Sequence, residues 1–385
     1  MESTKKVKVL HIVTGLNIGG AEIMLYNLLC GTNYSRFEHS VLSLINIGAV
    51  GEKIQQLGVS VQSLGMRQGI PNPLFLMRLI FWLRGNHPDV IQTWMYHADL
   101  IGGVAAKFSG GIPITWGIHH TTINSVSTKW LTKRTVQLCS MLAKWLPTHI
   151  VCCSETSKKV HEALGYPTEI MEVITNGFSL NKFHPSSDDR LSLRQELGIF
   201  EDTILVGHIG RFVPEKDHRN FIQAASRLCS KYSNVEFLMC GAGVTWENSE
   251  LVKLIEEAGI RSRVYLLGKR DDIPRIMASL DILAQSSCCE AFPLVGGEAM
   301  ASGVPCVVTD VGDSALLVGD TGSVVEPRNY KELAKALGHL IDLGENERKS
   351  LGIKARQRIE KYFNLPDIVR KYENIYIGLS KVRRN

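Results

Sequence analysis

The sequence predicts an α/β protein made of two doubly wound parallel sheets in tandem. Three observations predict it. The chain's 385 residues exceed the length at which a single core keeps growing, so two domains of roughly 180 residues are expected. Short runs rich in Val, Ile and Leu alternate with segments of helical spacing, the pattern of strands covered on both faces. The alternation pauses once, around Asn176-Gly177-Phe178, and then resumes.

In chain order, strands are expected at Val7 to Val13, His39 to Ile45, Val90 to Trp94, Ile112 to Ile118, His149 to Cys153 and Met171 to Ile174. Ala21 to Leu29 and Leu74 to Leu83 carry helical spacing between them. A polar stretch with His184-Pro185-Ser186-Ser187-Asp188-Asp189 is the expected linker. Strands follow near Ile204 to Ile209, Val235 to Cys240, Val264 to Leu267, Ile282 to Ala284 and Pro305 to Thr309, and helices after Pro327. The expected division is an N-terminal Rossmann-like domain at 1–183, a C-terminal one at 184–363, and a final helix at 364–385 that returns to the first domain.

Bulk properties exclude several classes. Hydrophobic residues at 44% and charged residues at 21% are ordinary for a globular chain and argue against disorder. Met1-Glu2-Ser3-Thr4-Lys5-Lys6 runs straight into Val7-Lys8-Val9-Leu10 without a secretory apolar region, so a cytoplasmic location is expected. Nine cysteines, mostly inside apolar runs, read as reduced thiols rather than as a disulfide or metal framework. The net charge of +5 is uneven: residues 1–160 hold 15 Lys and Arg against 7 Asp and Glu. One lobe is therefore expected to face an anionic partner. Nucleic acid is disfavoured, because no motif interleaves these cations with base-stacking aromatics.

The segment Lys129-Trp130-Leu131-Thr132-Lys133-Arg134, continuing through Met141-Leu142-Ala143-Lys144-Trp145-Leu146, mixes cations with interfacial tryptophans. Pro73 to Arg84 is similarly apolar and basic. These helices either lie on an anionic membrane or cover the sheet with Trp and Leu turned inward.

Three segments carry candidate chemistry. Gly15-Leu16-Asn17-Ile18-Gly19-Gly20-Ala21-Glu22 forms a strand, glycine turn and helix start, where free N–H groups and the helix dipole suit an oxyanion. It is not the G-x-G-x-x-G dinucleotide fingerprint, and no acidic residue follows the second strand to take a ribose. Gly210-Arg211-Phe212-Val213-Pro214-Glu215-Lys216 leaves a strand's carboxyl end, where a guanidinium and an ammonium can clamp a diphosphate. The third, Glu290-Ala291-Phe292-Pro293-Leu294-Val295-Gly296-Gly297-Glu298, places Glu290 in a turn and Glu298 on the following helix. Two such carboxylates can accept hydrogen bonds from sugar hydroxyls, and the N–H groups of Leu294 and Val295 suit a phosphate.

These motifs, with Gly241-Ala242-Gly243 and Gly268-Lys269-Arg270-Asp271-Asp272-Ile273, resemble the retaining GT-B glycosyltransferases of family 4 along essentially the whole chain. The resemblance implies two Rossmann-like domains facing a cleft, and transfer of a sugar from a UDP-sugar or GDP-sugar to a glycan or lipid-linked acceptor. Polysaccharide or glycoconjugate assembly, with a peripheral position on the inner face of the membrane, is expected. Arg211 and Lys216 would neutralise the diphosphate, with Gly19 and Gly20 approaching from the other lobe. Glu290 would bind the transferred sugar, Glu298 the ribose, and the backbone around Lys269 and Arg270 the base. Phe292, Pro293, Leu294 and Val295 would shape the pocket. A histidine near the donor sugar matches His119 or His120. Two departures occur: Ala291 stands where glycine is commoner, and Gly241-Ala242-Gly243 replaces a frequent Gly-Asp-Gly. No Asp-x-Asp pair is present, in keeping with a metal-free route and no cofactor. A sugar-nucleotide epimerase and a catalytically silent sugar-nucleotide binder are the alternatives.

Overall fold

The computed structural model describes residues 5–66, 73–121 and 130–382. The chain divides into two compact units, residues 1–177 with 365–385, and residues 178–364.

The first unit runs β1 (Val7–Val13), α1 (Gly20–Gly31), β2 (Phe37–Ser43), α2 (Gly48–Gln56), β3 (Ser60–Ser63), α3 (Pro73–Asn86), β4 (Val90–Trp94), α4 (Tyr96–Phe108), β5 (Ile114–Ile118), α5 (Trp130–Leu142), β6 (His149–Cys152), α6 (Glu155–Ala163) and β7 (Met171–Val173). Its seven strands lie in the order β3-β2-β1-β4-β5-β6-β7, all parallel. Strands β4 and β5 are wholly buried, since helices cover both faces, and the buried polar side chains Gln92 and Thr93 of β4 find hydrogen-bond partners, Gln92 on the Thr93 carbonyl and Thr93 on Asp99. One core lies under α1 and α2, the other under α3, α4 and α5.

The second unit runs α7 (Ser187–Leu197), β8 (Ile204–Ile209), α8 (His218–Cys229), β9 (Val235–Cys240), α9 (Ser249–Glu257), β10 (Val264–Leu266), α10 (Ile273–Ser279), β11 (Ile282–Gln285), α11 (Leu294–Ala301), β12 (Cys306–Thr309), α12 (Ser314–Val318), β13 (Ser323–Val325), α13 (Tyr330–Asp342) and α14 (Glu345–Tyr362). Its six strands lie in the order β10-β9-β8-β11-β12-β13, again all parallel.

Helix α15 (Leu365–Val382) belongs to the first unit. Ile368, Val369, Tyr372 and Tyr376 enter the α1 core, and Glu373 accepts the Asn33 N–H at 2.8 Å. None of the nine cysteines is in a disulfide. No helix among the described residues is long and apolar enough to cross a membrane.

Candidate functional site

In each sheet the strand order reverses at one place, between β1 and β4 in the first unit and between β8 and β11 in the second. Open α/β sheets bind ligands outside the carboxyl ends of the strands at such a switch point.

In the second unit both flanking strands deliver candidate residues. After β8 the chain passes Gly210 and Arg211, makes a turn at Pro214–Lys216 and enters α8. Asp217 caps α8 by accepting from the Asn220 N–H at 3.2 Å. The Gly210 and Gly241 backbones touch: a Cβ on Gly241, whose φ is +154°, would collide with the Gly210 carbonyl. Lys216 lays its methylenes across Gly210 and extends its ammonium to Glu290 Oε1 at 2.5 Å.

Glu290 stands on the loop leaving β11, and its carboxylate also accepts from Ser287 Oγ at 2.7 Å. Ser287 is fully buried, and its carbonyl accepts from Thr309 Oγ1 at the end of β12. A Cβ on Gly312, held at φ +55°, would strike the Glu290 and Ala291 carbonyls, so this loop is clamped from both sides. Lys216, Ser287 and Glu290 thus form one hydrogen-bonded group, while Arg211 is exposed beside it.

Helix α11 starts immediately after Pro293, and the N–H groups of Leu294, Val295 and Gly296 have no partner within its first turn. Phe292 is buried between Phe178 and Phe363, with ring centroids 6.4 and 5.5 Å away. Gly297 packs against the Phe178 ring so closely that a Cβ would overlap it. Glu298 is half-buried on α11, and its carboxylate has no hydrogen-bond or ion-pair partner among the described residues. Burial pushes its pKa from 4.5 up to about 7, with Lys182 opposing the shift.

Lys269 is exposed. Arg270 places its guanidinium on Asp272 at 2.7 and 2.6 Å and on Glu196 at 2.9 Å, so its side chain is committed to an ion-pair network. The loop therefore offers a ligand its backbone and the Lys269 side chain, not the Arg270 guanidinium.

In the first unit Gly19 is the extended N-cap of α1, Gly20 is the helix's first residue, and the Glu22 carboxylate lies against Gly19. His119 follows β5 and stacks on Trp94 with centroids 5.1 Å apart. Its Nε2 is buried without a partner, and burial lowers its pKa to about 4, so the ring is neutral. The His120 carbonyl accepts from Ser157 Oγ.

Ser287, Thr309 and Lys182 were not singled out from the sequence. Ser287 stands three residues before Glu290, a spacing that could have signalled a contact across the turn. Among the described residues no group of three or more His, Cys, Asp and Glu side chains is arranged to hold a metal ion.

The family described as Glycosyltransferase Family 4 matches residues 18–182, and that described as Glycosyl transferases group 1 matches residues 189–358. The chain belongs to glycosyltransferase family 4. This glycosyltransferase is 24% identical over 310 residues to an Escherichia coli UDP-Gal:alpha-D-GlcNAc-diphosphoundecaprenol alpha-1,3-galactosyltransferase, covering 79% of each chain. It is 25% identical over 313 residues to the capsular polysaccharide biosynthesis glycosyltransferase CapM of Staphylococcus aureus, covering 78% of this chain and 80% of CapM. In fold it is similar to HepE of Anabaena in complex with UDP, at a TM-score of 0.84 and 24% identity, over 97% of this chain and 100% of HepE. The architecture is therefore GT-B, with two Rossmann-like parallel-sheet domains.

Proposed function

We propose that this glycosyltransferase moves a hexose from a UDP-sugar or GDP-sugar to a glycan or lipid-linked acceptor, with retention of the anomeric configuration. The observation that carries the reading is the Lys216–Glu290 pair at the second unit's switch point. A cation and a carboxylate held there can take the two ends of a sugar phosphate: Lys216 with Arg211 the diphosphate, Glu290 the sugar hydroxyls. The α11 N-terminus adds unpaired N–H groups for a phosphate. Glu298, desolvated and without a partner, is the acceptor for ribose hydroxyls, and the backbone at Lys269 and Arg270 faces the base. His119, held neutral, accompanies the donor sugar.

Departure of the nucleotide diphosphate builds negative charge, which preorganised cations and helix N–H groups stabilise without reorganising. That supports a route in which Arg211 and Lys216 do what a divalent cation does elsewhere. Gly19 and Gly20 are assigned to the same diphosphate on the strength of the family resemblance alone. The domain limits 1–183, 184–363 and 364–385 are proposed on the strand–helix alternation and the polar linker at His184 to Asp189.

The acceptor reading draws on the undecaprenol-linked substrate in the name of the Escherichia coli relative and on CapM. It also draws on the first unit's surface. Along α3, Leu74, Met77 and Phe81 are exposed, and along α5 and just beyond it Trp130, Met141 and Trp145 are 65%, 68% and 69% exposed. These side chains face outward, not onto the sheet, and stand among exposed Arg78, Arg84, Arg134 and Lys144. Tryptophan mixed with cations on a helix surface suits an anionic lipid interface. Lys129, expected on this surface, lies outside the described residues.

The family disfavours the epimerase and silent-binder alternatives. The test is to incubate purified protein with single UDP-sugars and GDP-sugars and lipid-linked acceptors, then determine the product's linkage by NMR. An α-linked product from an α-linked donor supports the reading, and a β-linked product overturns retention.

A further inference from the structure

Behind the turn that carries Lys216 lies a solvent-open cavity of about 240 Å³. It is lined by Arg219, Asn220 and Gln223 of α8, Asp217 and Cys288, and Arg328 from the loop before α13. None of Arg211, Lys216, Glu290 or Glu298 lines it, although Asp217 follows Lys216 and Cys288 stands two residues before Glu290, so it borders the proposed donor site. Its volume lies below the roughly 300 to 1,000 Å³ of pockets that enclose whole organic ligands, which selects a small group.

The wall is built for negative charge. Neither the Arg219 nor the Arg328 guanidinium has a partner among the described residues. The one carboxylate, Asp217, accepts the Asn220 N–H through Oδ1 at the α8 N-terminus, at 3.2 Å. Asn220 is 3% exposed, and its Nδ2 donor is buried without a partner, a state that a bound acceptor would relieve. The first turn of α8 forms part of the wall through Arg219 and Asn220, where the helix dipole favours negative charge.

Two of the four non-glycine residues with positive φ among those described, Asp217 at 44° and Arg328 at 61°, line this one cavity. Such backbone is held only where its surroundings impose it, and it fixes where the Arg328 side chain leaves the chain.

We propose that this cavity binds a phosphate group at a site distinct from that of the sugar donor. A forked guanidinium on each side, with the Gln223 amide, matches the several oxygens of one phosphate. The group could come from free phosphate or from a phosphorylated sugar, and the two sources are distinguished by the probes.

The experiment is calorimetric titration of the full-length protein with inorganic phosphate and, separately, with glucose 6-phosphate, in the absence of any nucleotide. Saturable phosphate binding is expected, weakened at least tenfold in Arg219→Gln and in Arg328→Gly, and unchanged in Arg211→Ala. Glycine adopts φ near +60° freely, so Arg328→Gly removes the cation while keeping a folded chain, with a Tm at or above that of the wild type. Tighter binding of the sugar phosphate assigns a phosphorylated sugar, and equal or weaker binding assigns free phosphate. Wild-type affinity in both variants, loss confined to Arg211→Ala, or no saturable binding would each overturn the proposal. Because no transfer is measured, failure here leaves the glycosyltransferase reading untouched.

Discussion

The Lys216 ammonium donates to Glu290 Oε1 at 2.5 Å, joining the loops that leave β8 and β11 on the two sides of the sheet's switch point. Each partner holds the other where a sugar phosphate would be gripped. Lys216→Ala is expected to lower kcat/KM at least a hundredfold, equivalent to about 3 kcal/mol of transition-state stabilisation. The Tm should change less than turnover, because Ser287 still donates to the Glu290 carboxylate left behind. Steady-state kinetics beside a thermal melt checks this, and near-wild-type turnover would remove Lys216 from the chemistry.

Ser287 holds the other side of the same carboxylate oxygen. It is a positioning residue, and a hydrogen bond to a charged group contributes about 1.5 to 3 kcal/mol. Ser287→Ala should reduce kcat roughly tenfold to a hundredfold, while Ser287→Thr, which keeps the hydroxyl, restores most of it. An equal loss in both variants would point to packing rather than to the hydroxyl.

Glu298 makes a prediction about pH. Its carboxyl titrates at about 7 in the folded chain, against an ordinary 4.5. Between those values the folded state holds more protons than the unfolded one, so this group's contribution to stability falls as pH rises, by at most roughly 3 kcal/mol. Glu298→Gln removes that slope, giving a more stable protein at pH 8 but weaker nucleotide binding. Melts from pH 5 to 8 check the first part, and identical slopes in both proteins would contradict the assignment.

Much of this was legible in the sequence, for a physical reason. Strands buried on both faces are mostly apolar, so β1, β4, β5, β8, β9 and β11 announce themselves as short runs dominated by apolar residues, interrupted by single polar ones such as His11, Gln92 and His208. The strands missed were β3 and β13, both at sheet edges. In β3 only Val61 of Ser60–Ser63 is buried, and no strand residue of β13 is, so neither carries an apolar run. The segment from Glu290 to Glu298 was legible because its turn, helix and glycine stop are local. Ser287 was not, since only the fold shows that its hydroxyl meets the carboxylate that also takes Lys216. Nor could spacing alone reveal that Arg270 is committed to Asp272 and Glu196, or that Phe292 turns into an aromatic cluster.

The exposed face of α3 and α5 should bind vesicles containing anionic lipid and not purely zwitterionic ones, with binding weakened by salt. Each basic residue near an anionic leaflet contributes about 1 kcal/mol. Changing Lys133, Arg134 and Lys144 together to Gln should therefore release most of the protein at physiological salt, as should Trp130→Ser with Trp145→Ser. Co-sedimentation measures this, and equal recovery of wild type and variants on anionic vesicles would rule out the face.

The most direct test of sugar transfer at the Lys216–Glu290 site is release of nucleotide diphosphate from a UDP-sugar or GDP-sugar panel, with and without a lipid-linked acceptor, by wild type and by Lys216→Ala. Acceptor-dependent release that accompanies a glycosylated product, lost at least a hundredfold in the variant, is the predicted result. Equal turnover by the two proteins, or release that never depends on an acceptor across the panel, would contradict it.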